Sequence, residues 1–302
     1  MKETISHFKT INPSLVCMYS LPRSGSTVLI AELDRLQGVI CLPESYFPQI
    51  LETLTDEESN DPDYLAAFFL ASSPSGSLLT FAEARDCMCP GNWNRTFINL
   101  GLACALKLNR DPCQIATIVW KTTRIIGRWR LFSAAGGRFI ILRRNPLNVF
   151  DSQFRVDFGR HNRNPFRFAL FLESYEAVFN RMPLNDLVLI EYEKIPEQLS
   201  YIQNWLGVDG THWTRGESSL ANTHARKSWH GGLLDGFQSQ DDIKRKNISP
   251  LQAVSIKFSR IMARPYQPFL ARLRDRYDEA TANYVRVDAE KILKAESYQV
   301  SQ

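Results

Sequence analysis

The sequence predicts an α/β protein in which helices cover both faces of a central parallel sheet. Three observations lead to this prediction: short runs rich in Val, Ile and Leu, helical patterns between these runs, and turn-forming residues where the two alternate. Strands of a parallel sheet are buried on both faces, so they consist of continuous apolar runs, and helical crossovers join them. The pattern therefore predicts a three-layer sandwich.

Five apolar runs are the predicted strands. They are residues 14–20, 39–42, 115–121, 138–144 and 186–192. A helical pattern over residues 26–37 follows the first run and is ended by Gly38. Ligands of such folds bind beyond the carboxyl ends of the strands, where loops lead into helices. The residues that follow each predicted strand are therefore the first candidates for a site.

Three stretches depart from the alternation of strands and helices. Residues 51–113 are predicted to form a helical cap insertion, and residues 251–302 are predicted to be C-terminal helices. Residues 209–250, rich in Gly, Ser, His and basic side chains, are predicted to form a long, lid-like loop. A chain of 302 residues with 44% hydrophobic residues can bury a full core, and we expect residues 1–302 to form a single domain.

Composition excludes several classes of protein. The net charge of +4, from 36 basic and 32 acidic residues, is too small to indicate nucleic-acid binding. The N-terminus has no apolar segment of signal-peptide length, and no apolar run approaches the roughly 20 residues of a membrane span, so we expect a cytoplasmic protein. The six cysteines lack the paired spacing of disulfides or zinc ligands, and we expect no metal. Nothing in the sequence indicates the oligomeric state.

The stretch LPRSGST, residues 21–27, joins the first predicted strand to the first predicted helix. Backbone N–H groups at a helix start, with nearby hydroxyls and a guanidinium, can bind an anion. The stretch is P-loop-like in position, but it has one glycine and lacks the lysine of the G-x-x-x-x-G-K-S/T signature. A capped helix start without a ligand would explain the same residues. The candidate anion-binding residues are Arg23, Ser24, Gly25, Ser26 and Thr27.

A second anion-binding stretch follows the fourth predicted strand. In RNPLNVFDS, Arg144 ends the strand, Asn-Pro opens a helix, and Ser152 lies two helical turns further on. The arginine and the serine could bind one phosphate between them.

Together the two stretches resemble the sulfotransferases that use 3′-phosphoadenosine-5′-phosphosulfate (PAPS). The first matches the family's Pro, Lys or Arg, Ser, Gly, Ser or Thr, Thr motif, and the second matches its Arg, Asn or Asp, six residues, Ser motif. The resemblance implies a P-loop-like fold, PAPS as cofactor, and 3′-phosphoadenosine 5′-phosphate (PAP) as product, without a metal. It implies that residues 23–27 bind the 5′-phosphosulfate and that Arg144 and Ser152 bind the 3′-phosphate. The motif spacing selects Arg144 rather than Arg143.

Two weaker likenesses add candidate cofactor contacts. The stretch VLIEYEKI is similar to the family's strand that ends in Tyr-Glu, which would place Tyr192 near the cofactor, although an aromatic strand end without a ligand fits equally well. The basic segment 223–232 lies where cytosolic relatives have a basic loop, so Arg226 and Lys227 are further candidates. A solvated basic loop is the alternative.

The candidate catalytic residues also follow from the resemblance. Lys121 ends the third strand in a Lys-Thr element like that of the family, and with Arg23 it would stabilise charge on the leaving phosphate. Cytosolic members have a histidine base two residues later, where this chain has Thr123, which cannot accept a proton at neutral pH. The branch that includes tyrosylprotein and some bacterial carbohydrate sulfotransferases uses a glutamate after the second strand. Glu44 is the matching residue. A solvated strand-end lysine and an ordinary helix-start carboxylate are the alternative interpretations of Lys121 and Glu44.

The prediction is therefore a PAPS-dependent sulfotransferase that acts on a hydroxyl or amine of a small-molecule, carbohydrate or peptide acceptor. One alternative is a P-loop-type small-molecule kinase that uses ATP. Such kinases have the lysine of the G-x-x-x-x-G-K-S/T signature and an acidic residue at a strand end, and neither is evident in this sequence. Another is a catalytically silent protein that binds PAP or a related nucleotide. The sequence does not identify the acceptor.

Overall fold

The computed structural model describes residues 8–22, 24–74, 76–123, 127–154, 164–182, 186–211 and 248–300. Within these residues, five parallel strands form one sheet in the order β2-β3-β1-β4-β5, and helices flank it. The predicted α/β fold with a central parallel sheet is confirmed. The strands are β1 (Ser14–Ser20), β2 (Val39–Glu44), β3 (Thr117–Thr122), β4 (Arg138–Arg143) and β5 (Leu187–Glu191).

Strand β1 lies at the centre of the sheet. Met18 on this strand pairs with Lys121 on β3 and with Ile140 on β4. The chain leaves β1 toward β2 on one side, and after β3 it crosses to β4 on the other side. The direction of winding therefore changes next to β1, where open α/β sheets bind their ligands.

The helices begin mostly with a Ser, Thr, Asp or Asn cap or with a proline in the first turn. In chain order they are α1 (Ser26–Leu33), α2 (Phe47–Ile50), α3 (Asp56–Asn60), α4 (Pro62–Ala71), α5 (Phe81–Cys87), α6 (Trp93–Lys107), α7 (Arg130–Ala134), α8 (Pro146–Phe154), α9 (Pro165–Phe179), α10 (Ile195–Leu206), α11 (Pro250–Ala263) and α12 (Gln267–Val300).

Two apolar clusters cover the two faces of the sheet. On one face, α1 and α10 contribute Leu33 and Ile202, which pack in a cluster with Val16 of β1. On the other face, α6, α7 and α9 contribute aromatic side chains to a larger cluster around Trp120 and Phe139. The three layers fix the strand ends at one edge, because both faces are close-packed.

Helix α1 ends at Leu33, four residues before the predicted end at residue 37. The reason is a buried ion pair that the sequence pattern does not reveal. The fully buried carboxylate of Asp34 accepts hydrogen bonds from the Arg110 guanidinium at 2.8 and 3.0 Å and from the Cys41 N–H at 3.0 Å. These bonds, together with one from Arg110 to the carbonyl of Val39, hold Asp34 against β2.

The insertion over residues 51–113 is helical, but its last helix lies on the sheet. The ring of Phe97 on α6 packs against Trp120 of β3, with 5.7 Å between the ring centroids. Gly101 approaches β3 so closely that a Cβ there would lie 2.5 Å from Cδ1 of Ile118. Apolar burial therefore assigns α6 to a covering layer, which leaves the earlier helices of the segment as the candidate cap.

The C-terminal part is helical, as predicted. The short 3₁₀ turn Arg264–Tyr266 joins α11 to α12, and both helices contact α9, through Arg260 and Gln267 bonding to Glu173. In the parts of the chain that the structure describes, none of the helices combines the length and the apolar character needed to cross a bilayer.

Candidate active site

Every strand of the sheet ends at the same edge, and each end carries a residue that the sequence singles out. Because the strands are parallel and their order is β2-β3-β1-β4-β5, the site residues follow that order along the edge. They are Glu44, Lys121, the turn after β1, Arg144 and Tyr192. The two anion-binding stretches lie on neighbouring strands, although about 120 residues separate them in the chain.

The turn after β1 presents an open helix start. Gly25 is the N-terminal flanking residue of α1, in the left-handed conformation with φ of +92°, and no side chain caps the helix. The first N–H groups of a helix have no partner within the helix, and together with its dipole they favour an anion. Ser26 is buried and Thr27 is half-buried at this helix start.

Ser24 closes the turn. Its side chain is fully buried, and both its hydroxyl and its N–H donate to the carbonyl of Leu21, at 2.6 and 3.1 Å. The hydroxyl would have to rotate away from this carbonyl before it could donate to a bound anion. Arg23, Arg226 and Lys227 lie outside the described residues.

Tyr192 lies between the two anion-binding stretches. It follows β5 and is buried, and its ring occupies the space beside Gly25, where a Cβ would lie 1.9 Å from Cε2 of the ring. The guanidinium carbon of Arg144 lies 4.1 Å from the centroid of the same ring, a cation–π contact. One aromatic side chain therefore touches both the turn after β1 and the arginine after β4.

Helix α8 holds the second stretch against the first. Asn145 caps this helix, since its Oδ1 accepts from the N–H of Leu147 at 3.0 Å. Glu193 accepts from the N–H of Asn145 at 2.8 Å. Near the end of the helix, Nε2 of Gln153 donates to the carbonyl of Pro22 at 3.1 Å. Ser152 precedes Gln153 on the same helix and is buried.

The two adjacent arginines after β4 face different partners. Nη2 of Arg143 lies 2.5 Å from Oε2 of Glu176, so this arginine forms an ion pair with helix α9. Burial raises the pKa of Glu176, and the charge of Arg143 opposes this effect. Arg144 instead lies over Tyr192, beside the turn after β1. The two adjacent arginines therefore have different partners, and only Arg144 contacts the ring that lies beside Gly25.

A lysine and a glutamate meet at the ends of β3 and β2. A shift in register after Cys41 pairs Glu44 with Lys121, and Nζ of Lys121 lies 3.8 Å from Oε2 of Glu44. Nζ also lies 3.4 Å from Oγ1 of Thr27, in the turn after β1. Burial lowers the pKa of Lys121, while the negative charge of Glu44 acts in the opposite direction. A partly buried ammonium beside an open helix start favours a bound anion.

Thr123 orients Glu44. Its hydroxyl donates to Oε1 of Glu44 at 2.5 Å, and its carbonyl accepts a bond of 2.8 Å from the hydroxyl of Tyr175 on α9. Nη2 of Arg274 on α12 donates to the same tyrosine hydroxyl at 3.1 Å. In the sequence, Thr123 stands out only as the residue in place of a histidine base, and the other two residues do not stand out at all. No local pattern could reveal them, because they come from distant helices.

The edge therefore has two chemical halves. Arg144, Ser152, Tyr192 and the turn after β1 form the candidate anion-binding half, and Lys121 with Glu44 forms a half that offers a cation and a carboxylate. Thr27 connects the halves through its contact with Lys121. Among the described residues, no cluster of His, Cys, Asp and Glu side chains is arranged to hold a metal ion.

The sequence matches no family model and no curated protein. Among solved structures, a sulfotransferase domain from the Synechococcus PCC 7002 olefin synthase matches 84% of this chain and 96% of its own, with 18% identity and a TM-score of 0.43. A sulfotransferase domain from the curacin biosynthetic pathway matches 65% and 74%, with 17% identity and a TM-score of 0.38. A mouse sulfotransferase complexed with PAP matches 85% and 93%, with 13% identity and a TM-score of 0.34. Likeness at this distance does not carry function, which has to be argued from the site.

The contact between Gly25 and Tyr192 predicts a strong effect of Gly25→Ala. A methyl group there would clash with the ring, and the positive φ adds strain of about 1–3 kcal/mol. We expect a larger loss in the free energy of unfolding than for the matched control Gly91→Ala, because Gly91 has φ of +77° and its new methyl carbon would meet no heavy atom within 4 Å. Denaturant unfolding measures both losses. Equal losses would contradict the close packing of the ring on the turn.

Proposed function

We propose that this protein is a sulfotransferase that moves the sulfuryl group of PAPS to a hydroxyl or amine of an acceptor. One observation carries the proposal. Two candidate anion-binding stretches that lie about 120 residues apart in the chain meet around the ring of Tyr192, beside a partly buried lysine paired with a glutamate. A nucleotide with phosphate groups at both its 5′ and 3′ positions needs two such anion-binding stretches. A helix start that is capped and binds no ligand would need neither of them.

The anion-binding half fits the two ends of PAPS. The uncapped start of α1, with Ser26 and Thr27, would bind the 5′-phosphosulfate through N–H groups and hydroxyls. Arg144 and Ser152 would bind the 3′-phosphate, for which a guanidinium offers a bidentate contact. Gly25 would let the backbone approach the ligand, and Ser24 would shape the turn. Arg23, Arg226 and Lys227 are proposed as further cofactor contacts on the sequence motifs alone.

The other half supplies the groups that the transfer requires. PAPS, when bound, supplies the sulfuryl group and PAP is the leaving group. Glu44 would take the proton of the acceptor hydroxyl as its oxygen bonds to sulfur and the bond between sulfur and the phosphate oxygen breaks. Lys121, with Arg23, would stabilise the charge that builds on that phosphate oxygen. Thr123 would hold the Glu44 carboxylate by donating to one oxygen, which leaves the other to accept the proton.

With Glu44 as base, this chain would fall in the branch that uses a glutamate. Glu44 is the nearest carboxylate to Lys121 among the ion pairs of the described residues, and Thr123 occupies the position of the histidine of cytosolic members. The proposed acceptor is a small molecule, a carbohydrate or a peptide, since a carboxylate base serves hydroxyls of all three classes.

The binding experiment compares Arg144→Ala with Arg143→Ala by calorimetric titration with PAP and with 5′-AMP, which lacks the 3′-phosphate. We expect Arg144→Ala to weaken PAP binding by about 10- to 100-fold and to leave 5′-AMP binding unchanged, because the arginine would contact the 3′-phosphate alone. Arg143→Ala is the matched control, since its partner is Glu176. It should leave the affinity for both nucleotides unchanged.

Other outcomes of this titration would contradict the proposal. If Arg144→Ala lost the same affinity for PAP and for 5′-AMP, Arg144 would not be a contact of the 3′-phosphate. Tight binding of ATP with magnesium and no binding of PAP would indicate the kinase instead.

The transfer experiment tests Glu44. In Glu44→Gln we expect kcat for transfer from labelled PAPS into a metabolite extract to fall by about 100-fold or more, because an amide cannot accept the proton. PAP affinity should be retained or raised, since Lys121 loses its negative partner. Glu52→Gln is the matched control, because the Glu52 carboxylate accepts from the N–H of Leu131, away from Lys121. Mass spectrometry of the labelled product identifies the acceptor.

Two results of the transfer experiment would count against the role of Glu44 or against transfer itself. If kcat were unchanged in Glu44→Gln, Glu44 would be excluded as the base. PAP binding by the native protein without transfer to any component of the extract would indicate the silent nucleotide-binding protein.

The lowered pKa of Lys121 predicts an alkaline limit on activity. The protonated lysine is the active form, so kcat/KM for PAPS should fall as pH rises through its pKa, which lies below the ordinary lysine value of 10.5. In Lys121→Arg the fall in kcat/KM should occur at higher pH, because a guanidinium keeps its proton. The matched control Lys107→Arg should not move it. If kcat/KM of Lys121→Arg fell at the same pH as in the native protein, a group other than Lys121 would be responsible for the fall.

A further inference from the structure

The C-terminal helices expose an unusual concentration of large apolar side chains. Nine of the exposed large apolar residues that the structure describes lie within residues 251–277, on α11, the following 3₁₀ turn and the start of α12. Their side chains are between 43% and 77% exposed. They are Leu251, Val254, Phe258, Ile261, Met262, Tyr266, Phe269, Leu273 and Tyr277. We call these nine residues the outer apolar face.

The outer apolar face is organised along the helices. On α11 its members recur at spacings of three and four residues, which places them within about 100° of the helix circumference. The buried residues of α11, Ile256, Ser259 and Ala263, lie on the opposite side. On α12, Phe269, Leu273 and Tyr277 follow one another at intervals of four residues. The inner side of that helix contacts α9 through Arg274 and Tyr175.

The apolar area exposed on α11 alone lies at the upper end of the range for the largest apolar patch on a monomer. Large side chains that are roughly half exposed each leave about 100 Å² in solvent, so the five on α11 present on the order of 500 Å² along one side of a single helix, and the other four add to this along the 3₁₀ turn and the start of α12. The largest apolar patch on a typical monomer is about 300–600 Å². A face of this size indicates a partner.

The charges around the face determine the kind of partner. Four exposed cations flank it, namely Lys257, Arg264, Arg272 and Arg276. Between residues 250 and 277, all of which the structure describes, no Asp or Glu is exposed, since Asp275 is only half-exposed and pairs with Arg181 at 3.6 Å. Two copies of this face would bring like charges together. An anionic surface would neutralise them.

We propose that the outer apolar face of α11 and α12 docks on the surface of an anionic lipid bilayer, with the apolar side chains in the interface and the four cations against lipid phosphates. A basic amphipathic helix that lies in the plane of the interface has this combination of features. Both helices stay folded on α9 in this arrangement, because their docking side is opposite the side that contacts it. Docking of this kind does not depend on the proposed reaction.

The test is co-sedimentation of the full chain with vesicles of phosphatidylcholine alone and of phosphatidylcholine with about 30% phosphatidylserine. We expect binding to the anionic vesicles, much less binding to the neutral ones, and weaker binding at high salt. The double variant Lys257→Gln and Arg264→Gln should bind the anionic vesicles about 30-fold more weakly. The double variant Phe258→Gln and Ile261→Gln should lose at least about tenfold in affinity.

The matched control is Tyr201→Gln, which removes a side chain that is 57% exposed on α10, at the other face of the sheet. It should bind as the native chain does, and circular dichroism establishes that all variants are folded. Equal binding by the Phe258 and Ile261 variant and by the control would overturn the proposal, as would failure of the native chain to bind anionic vesicles. A dimer in analytical ultracentrifugation that the Phe258 and Ile261 variant abolishes would assign the face to a second copy instead.

Discussion

The site depends on one close contact, between the backbone of Gly25 and the ring of Tyr192. In the sheet, β4 lies between β1 and β5, so the ring reaches from the end of β5 across the end of β4 to the turn after β1. Arg144, at the end of β4, stacks on the same ring. A side chain at position 25 would displace the ring and its stacked guanidinium together. The absence of a Cβ therefore lets one ring contact the turn after β1 while it stacks with Arg144.

The contacts of three cations, Arg143, Arg144 and Lys121, determine which positive charges lie beside the turn after β1. Arg143 pairs with a carboxylate on α9, whereas Arg144, one residue later, lies over the face of an aromatic ring beside the turn. Lys121 lies 3.8 Å from Glu44, a separation longer than a strong hydrogen bond, and burial disfavours its charge. An anionic ligand beside Lys121 would offset that cost, which makes the end of β3 suited to developing negative charge.

The long helix α12 connects the edge of the sheet to the surface. On its inner side, Arg274 donates to Tyr175, whose hydroxyl holds the carbonyl of Thr123, and Thr123 holds Glu44. On its outer side the helix carries apolar side chains and cations. The carboxylate that would act as base is therefore held by a chain of hydrogen bonds that ends on the same helix that forms much of the exposed face.

The strands, the helical C-terminal part and the two stretches that follow β1 and β4 can be predicted from the amino-acid sequence, because apolar runs, helix starts and motif spacing are local properties. Only the tertiary structure decided that α1 ends before Asp34, that α6 covers the sheet, and that Thr123, Tyr175 and Arg274 support Glu44. Residues 123 and 175 are 52 positions apart, and residues 175 and 274 are 99 apart. Such pairs meet only when whole helices pack, and packing depends on the shape and burial of the complete core rather than on any short pattern.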